Sequence, residues 1–187
     1  SRGISAAILT IAIISTFGFP VVQQIIVFAE EVFEVSPFLF GLLGSAQGIG
    51  AVLAVPLVTG YVNFMKPSVQ QLIATVGYGF AVMIFALAPS YTVAFFSLGI
   101  LGIMHLISAS NLNSVVQLQV DEEMRGRVMA IYLVGVLGPA PFAGLAMGWL
   151  VSAFGPRLVV ALSGSILAFL AVVLWFRGKF SDLNSTT

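Results

Sequence analysis

The sequence from residue 111 to residue 132, NLNSVVQLQVDEEMRGRVMAIY, joins two long apolar runs through a short charged turn. The turn, residues 121–127, holds five of the chain's fourteen charged residues, which are seven Lys or Arg and seven Asp or Glu. The runs on either side are hydrophobic enough to lie in lipid, where charged side chains are costly. A tight charged turn between two such runs indicates a membrane protein whose chain reverses direction at a water interface.

The composition of the whole chain supports the same class. Of its 187 residues, 59% are hydrophobic and 7% are charged, and the mean hydropathy is +1.11. Soluble domains carry about 25% charged residues because their surface faces water. A net charge of zero argues against nucleic-acid binding, which calls for a basic surface. The absence of cysteine excludes disulfides and cysteine-ligated metals. We therefore expect an all-α, polytopic membrane protein.

Apolar segments long enough to cross a bilayer occur six times along the chain. A spanning helix needs about 20 predominantly apolar residues, and the segments that meet this length cover residues 4–29, 38–62, 69–88, 91–120, 128–154 and 158–176. The connections between them are short, which predicts antiparallel neighbours in one six-helix transmembrane bundle, residues 1–180. The last residues, 181–187, are polar, and we expect them to form a frayed C-terminal tail.

The distribution of Lys and Arg predicts the orientation in the membrane. With six spans, one face carries six of the seven basic residues: Arg2, Lys66, Arg125, Arg127, Arg177 and Lys179. The other face carries Arg157, together with Glu30, Glu31 and Glu34. Because cytoplasmic loops are enriched in Lys and Arg, we expect both termini to be cytoplasmic.

Polar side chains within the spans are candidate functional residues, because each is costly in lipid unless it faces protein or water. The candidates for a substrate cavity are Gln23, Gln24, Gln47, His105, Asn111, Asn113 and Gln117. On the fourth helix, a rotation of about 100° per residue places Ser110, Asn113, Ser114 and Gln117 on one face and His105, Ser108 and Asn111 on the opposite side. One face is expected to line a cavity and the other to bond to neighbouring helices, and the sequence leaves open which is which.

His105 is the single histidine and lies near the middle of its span. It is a candidate for substrate binding or proton relay. The alternative is a neutral imidazole hydrogen-bonded to a neighbouring helix.

Proline and glycine within the spans predict bends and close helix contacts. Bends are expected where proline removes a backbone donor, and contacts where small residues let helices approach. The positions concerned are Pro20, Gly138, Pro139 and Pro141 for bends, and Gly144 and Gly148, a GxxxG pair, for packing. The second helix offers a further set of small residues at Gly41, Gly44, Ser45, Gly48 and Gly50.

Enzyme signatures are missing from the sequence. It contains neither GxSxG nor HExxH nor a GK[ST] phosphate loop, and one histidine cannot build a His-rich metal site. We therefore expect no catalytic residues, no metal and no cofactor.

Three stretches of the chain resemble the C-terminal half of major facilitator superfamily transporters. NSVVQLQVDEEMRGRVMA (residues 113–130) resembles the loop between helices ten and eleven, most closely in the bacterial siderophore and macrolide exporter branch. Residues 135–157, GVLGPAPFAGLAMGWLVSAFGPR, are similar to the eleventh helix and its exit. Residues 15–51 are similar to the seventh and eighth helices.

The resemblance implies a secondary transporter that works by alternating access, with efflux of a small amphipathic molecule across the bacterial inner membrane, as in antiporters of this kind. It also implies a cytoplasmic gate in the charged turn, formed by Asp121, Glu122, Glu123, Arg125, Gly126 and Arg127. In that gate Gly126 would make the turn tight, whereas the alternative role of the two arginines is to anchor helix ends at anionic headgroups.

The family's transporters have about twelve helices, so the implied partners are the lipid bilayer, a small-molecule substrate, and an N-terminal six-helix half or a second copy of this chain. The competing hypothesis is a membrane scaffold or assembly subunit that transports nothing.

Overall fold

Six helical segments of the computed structural model, which describes residues 1–60 and 64–184, are long and apolar enough to cross a membrane. We number them as spans 1 to 6: Arg2–Val32, Pro37–Thr59, Pro67–Ala86, Tyr91–Gln119, Glu122–Phe154 and Pro156–Phe176. The expected end of the second span at residue 62 and the expected tail at 185–187 lie outside the described residues. The predicted all-α bundle of six spans is confirmed.

The spans begin where the sequence supplies proline or a serine cap. Spans 2, 3 and 6 have proline in the first helical turn, where its missing N–H is not needed. Ser36 and Ser90 precede spans 2 and 4, and each hydroxyl accepts from a backbone N–H of the first turn. Span 6 follows span 5 after Gly155, whose φ of 83° explains the glycine.

Span 3 lies at the centre of the packing, against span 4 on one side and span 6 on the other. Span 2 packs mainly on span 4, while span 1 contacts spans 4, 5 and 6. The buried share reaches 56% in span 3 but falls to 22% in span 2 and 17% in span 5. Spans 2 and 5 therefore present most of their surface outside this bundle.

Two spans are broken near their middle, and each break is stabilised by a serine of a neighbouring span. The first helix of span 1 ends at Phe17, before Gly18. The Phe17 carbonyl accepts a hydrogen bond of 2.6 Å from the Ser163 hydroxyl of span 6.

In span 5 the break lies at Gly138, between helices Arg125–Leu137 and Pro139–Phe154. The nearby Val136 carbonyl accepts from the Ser15 hydroxyl of span 1. Backbone groups left unpaired at such breaks are costly in lipid, so these serines make the interruptions tolerable.

Close backbone contact between spans involves Gly50 of the expected set, together with Gly99 and Gly102, which the sequence had not singled out. Spans 2 and 4 approach so closely that a Cβ on Gly50 would overlap the Gly99 carbonyl, and one on Gly102 would overlap the Gln47 carbonyl. In contrast, Gly41, Gly44 and Gly48 have open space beside them. Of the predicted GxxxG pair, Gly144 packs against Gln23, whereas Gly148 also faces open space. Of the two, Gly144 meets a neighbouring span in this bundle, whereas a packing role for Gly148 stays a prediction.

The C-terminal segment is partly ordered rather than frayed. Ser181–Asn184 forms a 3-10 helix, and the side chains of Phe180 and Leu183 are buried. Asn184 Oδ1 accepts from the Ser68 backbone N–H at 3.0 Å, and Asn184 Nδ2 donates to the Ser68 hydroxyl at 2.9 Å. Asn184 thereby caps the start of span 3 from outside the helix, and the expectation of a free tail is wrong for residues 181–184.

Candidate functional site

A partly open and largely apolar cavity lies between spans 2 and 4, near the middle of their length. Its volume is about 230 Å³, and Gln47 and His105 provide its long polar side chains. Gln47 Nε2 lies 3.3 Å from His105 Nδ1, within hydrogen-bond distance. His105 is fourteen residues from each end of its helix, Tyr91–Gln119, so the pair lies near the bilayer midplane. Polar groups converging at that depth are typical of substrate sites in transporters.

The small residues of spans 2 and 4 create this arrangement. Gly102 lies against the backbone of Gln47, so the helices cross closely and the two long polar side chains meet beside the crossing. The imidazole of His105 also packs edge-on against the buried ring of Tyr78 in span 3, with 5.7 Å between ring centroids. His105 is therefore held between two neighbouring spans and partly exposed to the cavity.

A buried polar cluster between spans 3 and 4 joins the two helices and lines no part of the cavity between spans 2 and 4. Gln71 is fully buried, and its Nε2 donates to the hydroxyls of Ser108 at 2.6 Å and Thr75 at 2.9 Å. Asn111 Nδ2 donates to Gln71 Oε1 at 2.9 Å and to the Pro67 carbonyl at 3.0 Å. Because Asn111 is buried and its amide is engaged by span 3, its expected place in a cavity is wrong.

The other polar face of span 4 is open. Gln117 Nε2 donates to Asn113 Oδ1 at 3.1 Å within the same helix, and Gln117 and Ser114 are exposed. Among residues 1–60 and 64–184, these side chains hydrogen-bond to no other span, so they are available to water or substrate. The structure thus separates the two predicted faces: Ser108 and Asn111 pack, while Asn113, Ser114 and Gln117 do not.

The two glutamines of span 1 have different surroundings. Gln24 is buried, whereas Gln23 is exposed and its Oε1 would lie 2.7 Å from a Cβ on Gly144. Gly144 therefore makes room for Gln23 at the contact between spans 1 and 5. Neither glutamine lines the Gln47–His105 cavity, so the structure does not bring the predicted cavity residues together into one site.

All seven residues of the charged turn 121–127 are exposed. Arg125 Nη2 lies 4.0 Å from Glu122 Oε1, and both side chains are more than half exposed. An exposed pair of this kind contributes little to stability, about 0–1 kcal/mol. Gly126 lies inside the first turn of the helix Arg125–Leu137 and does not adopt a positive φ. The expectation that it tightens the turn is wrong, because a helical position makes no use of glycine's freedom.

Arg157 is the one basic residue on the membrane face opposite to the other six, and it has a packing role. Its Nη1 donates to the carbonyls of Ala88 at 3.0 Å and Ala86 at 3.5 Å. These carbonyls lie at the end of span 3, where the helix dipole is negative. Arg157 therefore caps span 3, which accounts for a lone arginine on that face.

An apolar groove of about 450 Å³ lies between spans 1, 5 and 6. Span 5 contributes residues from Ala143 to Phe154, span 6 residues from Leu158 to Ile166, and span 1 Phe17 with its neighbour Thr16. The groove is separate from the Gln47–His105 cavity, with which it shares no residue.

Sequence reasoning missed several residues that organise the polar interior. Gln71 and Thr75 lie four residues apart in span 3, a spacing that places both on one helix face, and this signal could have revealed the packing cluster. Tyr78, one turn further on, continues the same face. Ser15 and Ser163 had no such signal, because their role depends on breaks in other spans.

Six membrane-spanning helical segments, two breaks stabilised by serines of neighbouring spans, and a cavity near the midplane where Gln47 and His105 meet are together typical of an integral membrane transporter. The chain matches the Major Facilitator Superfamily over residues 3–184. It belongs to this superfamily, and the resemblance found in its sequence is confirmed.

Two individual proteins illustrate the relationship. The enterobactin exporter EntS of Salmonella choleraesuis (strain SC-B67) is 28% identical over 142 residues, which cover 75% of this chain and 34% of EntS. A crystal structure of the peptide transporter POT in complex with sulfate has a TM-score of 0.81 at 14% identity, covering 97% of this chain and 38% of that one. At that identity the second likeness shows the fold alone. The chain spans little more than a third of the length of either protein.

Proposed function

We propose that this chain is the C-terminal six-helix half of a secondary active exporter that works by alternating access, and that its function is transport rather than catalysis. The observation that carries the proposal is the Gln47–His105 pair, which lines a cavity near the membrane midplane. Two polar side chains meeting at that depth are expected in a substrate pathway. The membership of the chain in a transporter superfamily supports the same function.

The second half of the transporter would contact spans 2 and 5. These spans are the least buried of the six, and the glycines of span 2 at positions 41, 44 and 48 leave open space beside the helix. Small residues at helix surfaces permit close approach of another helix in lipid. An N-terminal bundle of the same protein is the proposed partner, and a second copy of this chain is the alternative.

The proposed orientation places both termini in the cytoplasm, in the inner membrane of a bacterium. Six basic residues on one face support it. Arg157, on the other face, is engaged in capping span 3, so it is retained there for packing. The exposed turn at residues 121–127 is then a cytoplasmic gate candidate, in which Arg125 and Arg127 are available to acidic groups of the other half or to lipid headgroups.

The proposed direction is efflux by antiport, and enterobactin is the first substrate to test, because a relative at 28% identity is an enterobactin exporter. Cells that make enterobactin but lack their own exporter would express the intact protein. The quantity measured is enterobactin in the medium relative to enterobactin in the cells. The proposal requires a rise in this ratio over cells carrying an empty vector, whereas an unchanged ratio would remove enterobactin as the substrate.

The competing scaffold hypothesis predicts a different response to substitution of the open polar face. Asn113→Leu with Gln117→Leu removes a hydrogen bond confined to one exposed helix face, so folding should be unaffected and transport should fall. Gln47→Leu with His105→Leu should also lower transport, through the cavity. A scaffold would tolerate both pairs without loss of function, and that result with well-folded protein would refute the transport proposal.

A further inference from the structure

One face of span 4 continues from the Gln47–His105 cavity towards the C-terminal end of the helix. Its members lie within a sector about 80° wide, given a rotation of about 100° per residue. We call them the open stripe, because none of them is buried: Leu106, Ala109, Asn113 and Gln117. The first two also line the cavity. The opposite side of the same stretch is buried at Ser108, Asn111, Leu112, Val115 and Val116.

The open stripe runs from the membrane centre to one membrane surface. At 1.5 Å per residue, Asn113 lies about 12 Å and Gln117 about 18 Å along the helix from His105. The hydrocarbon of one leaflet is about 15 Å thick, so Asn113 lies at hydrocarbon depth and Gln117 at the level of the headgroups. An amide at the depth of Asn113 is costly against lipid. The open stripe therefore faces water or protein.

The open stripe offers hydrogen bonds without charge. Within the part of the chain that the structure describes, the amides of Asn113 and Gln117 bond only to each other, from Nε2 of Gln117 to Oδ1 of Asn113. Both hydrogens of the Asn113 amide and the Gln117 carbonyl oxygen are left for other partners. Neither Pro37–Thr59 nor Tyr91–Gln119 contains Asp, Glu, Lys or Arg. An ionised group would find no opposite charge on these two helices, whereas an uncharged polar group would find a donor and an acceptor.

We propose that the open stripe is the arm of the substrate pathway that joins the Gln47–His105 cavity to the proposed cytoplasmic surface. In this arm Asn113 and Gln117 form a second subsite, which binds an uncharged hydrogen-bonding group of the substrate, such as a hydroxyl or an amide. The continuity of the open stripe with the cavity supports the proposal. The inference rests on the proposed transport function and adds to it a subsite and a substrate class.

Thiol labelling tests the arm without a known substrate, because this chain contains no cysteine. The intact protein, with any cysteine outside this chain replaced by serine, would carry one of four substitutions: Ala109→Cys, Asn113→Cys, Gln117→Cys or Leu112→Cys. The probe is the neutral reagent hydroxyethyl methanethiosulfonate, which reacts with hydrated thiolate. The three positions of the open stripe should react at similar rates. Leu112→Cys is the matched control and should react much more slowly, because Leu112 is buried on the other side of the helix.

Charged reagents of the same series test the substrate class. The anionic sulfonatoethyl reagent and the cationic trimethylammonioethyl reagent should both reach Gln117→Cys at the mouth of the arm. Relative to that rate, both should react with Ala109→Cys about tenfold more slowly than the neutral reagent does, because an ion without a counter-charge is costly to desolvate.

A second substitution tests the subsite. Asn113→Leu, combined with Ala109→Cys, replaces the amide by hydrocarbon and should slow labelling by the neutral reagent about tenfold. Thr92→Leu is the matched control, because Thr92 is exposed near the other end of the same helix. It should leave the rate unchanged.

Ala109→Cys and Asn113→Cys variants that label as slowly as Leu112→Cys would overturn the proposal and assign the open stripe to contact with the second half of the transporter. A charged reagent that reaches Ala109→Cys as readily as the neutral one would overturn the uncharged class. Equal effects of Asn113→Leu and Thr92→Leu would overturn the subsite. Labelling does not require transport, so the expected rates would support the arm even if enterobactin were not exported, and the two failures are separate results.

Discussion

The substitution Gln71→Leu tests whether the buried cluster between spans 3 and 4 holds the bundle together. It removes two hydrogen bonds between the spans, one to Ser108 and one from Asn111. Hydrogen bonds between membrane helices average about 0.6 kcal/mol and reach about 1.7 kcal/mol. Loss of two therefore predicts a decrease in the free energy of unfolding of about 1.2 kcal/mol, with an upper bound of about 3.4 kcal/mol.

The appropriate assay is reversible unfolding of the purified protein in mixed micelles by increasing mole fractions of SDS, followed by circular dichroism. Asn111→Leu and the double variant complete a double-mutant cycle, and their coupling energy should be about 0.6 kcal/mol, since one bond joins the two side chains. Gln117→Leu, on the same helix as Asn111, is the matched control, because the Gln117 amide bonds within an exposed face. Its effect should stay within about 0.5 kcal/mol.

Either of two results would refute this reasoning. One is a Gln117→Leu variant that is destabilised as much as Gln71→Leu. The other is a coupling energy of zero between positions 71 and 111. In each case the cluster would not be the contact that joins spans 3 and 4.

Three further substitutions address helix approach, the break in span 1 and the C-terminal cap. Gly102→Ala introduces a Cβ against the Gln47 backbone and should lower the free energy of unfolding by about 1–3 kcal/mol. Gly44→Ala is the control, because Gly44 has open space beside it. Equal melting temperatures for the two variants would contradict the close crossing. Ser163→Ala leaves the Phe17 carbonyl without its hydrogen-bond partner and should lower the free energy of unfolding by about 1–3 kcal/mol. Ser165→Ala loses a bond within its own helix and should lower it less. The opposite order in SDS unfolding would show that Ser163 does not stabilise the break in span 1. Asn184→Ala removes the cap on span 3 and should lower the free energy of unfolding by about 1 kcal/mol. Asn184→Asp keeps the oxygen that accepts from the Ser68 N–H and should be less destabilised. An Asp variant as unstable as the Ala variant would show that the bond donated to the Ser68 hydroxyl matters more.

The sequence predicted the break in span 5 but could not predict the contact that stabilises it. Pro139 and Pro141 lack backbone donors, so an interruption near Gly138 follows from local chemistry alone. The hydroxyl that satisfies the Val136 carbonyl comes from Ser15, more than a hundred residues away. That partner depends on which spans pack together, and nothing near residue 136 specifies it.

Span 4 gives the same contrast for the candidate site. Helical periodicity separates Ser108 and Asn111 from Asn113 and Gln117, but periodicity assigns neither face to a neighbour. The buried amide of Gln71 decides it, by bonding to Ser108 and Asn111. Gln47 and His105, fifty-eight residues apart, likewise meet because Gly102 allows spans 2 and 4 to cross closely.

The sequence by itself determined the class of protein and the number of spans, because in lipid each backbone group must be satisfied locally and an apolar run of sufficient length forms a helix. The motifs in and around the charged turn indicated the family. The tertiary structure alone decided which polar side chains pack, which line a cavity and which glycines touch another helix. Those outcomes depend on which distant segments meet, and the local sequence around a polar residue or a glycine does not specify its partner.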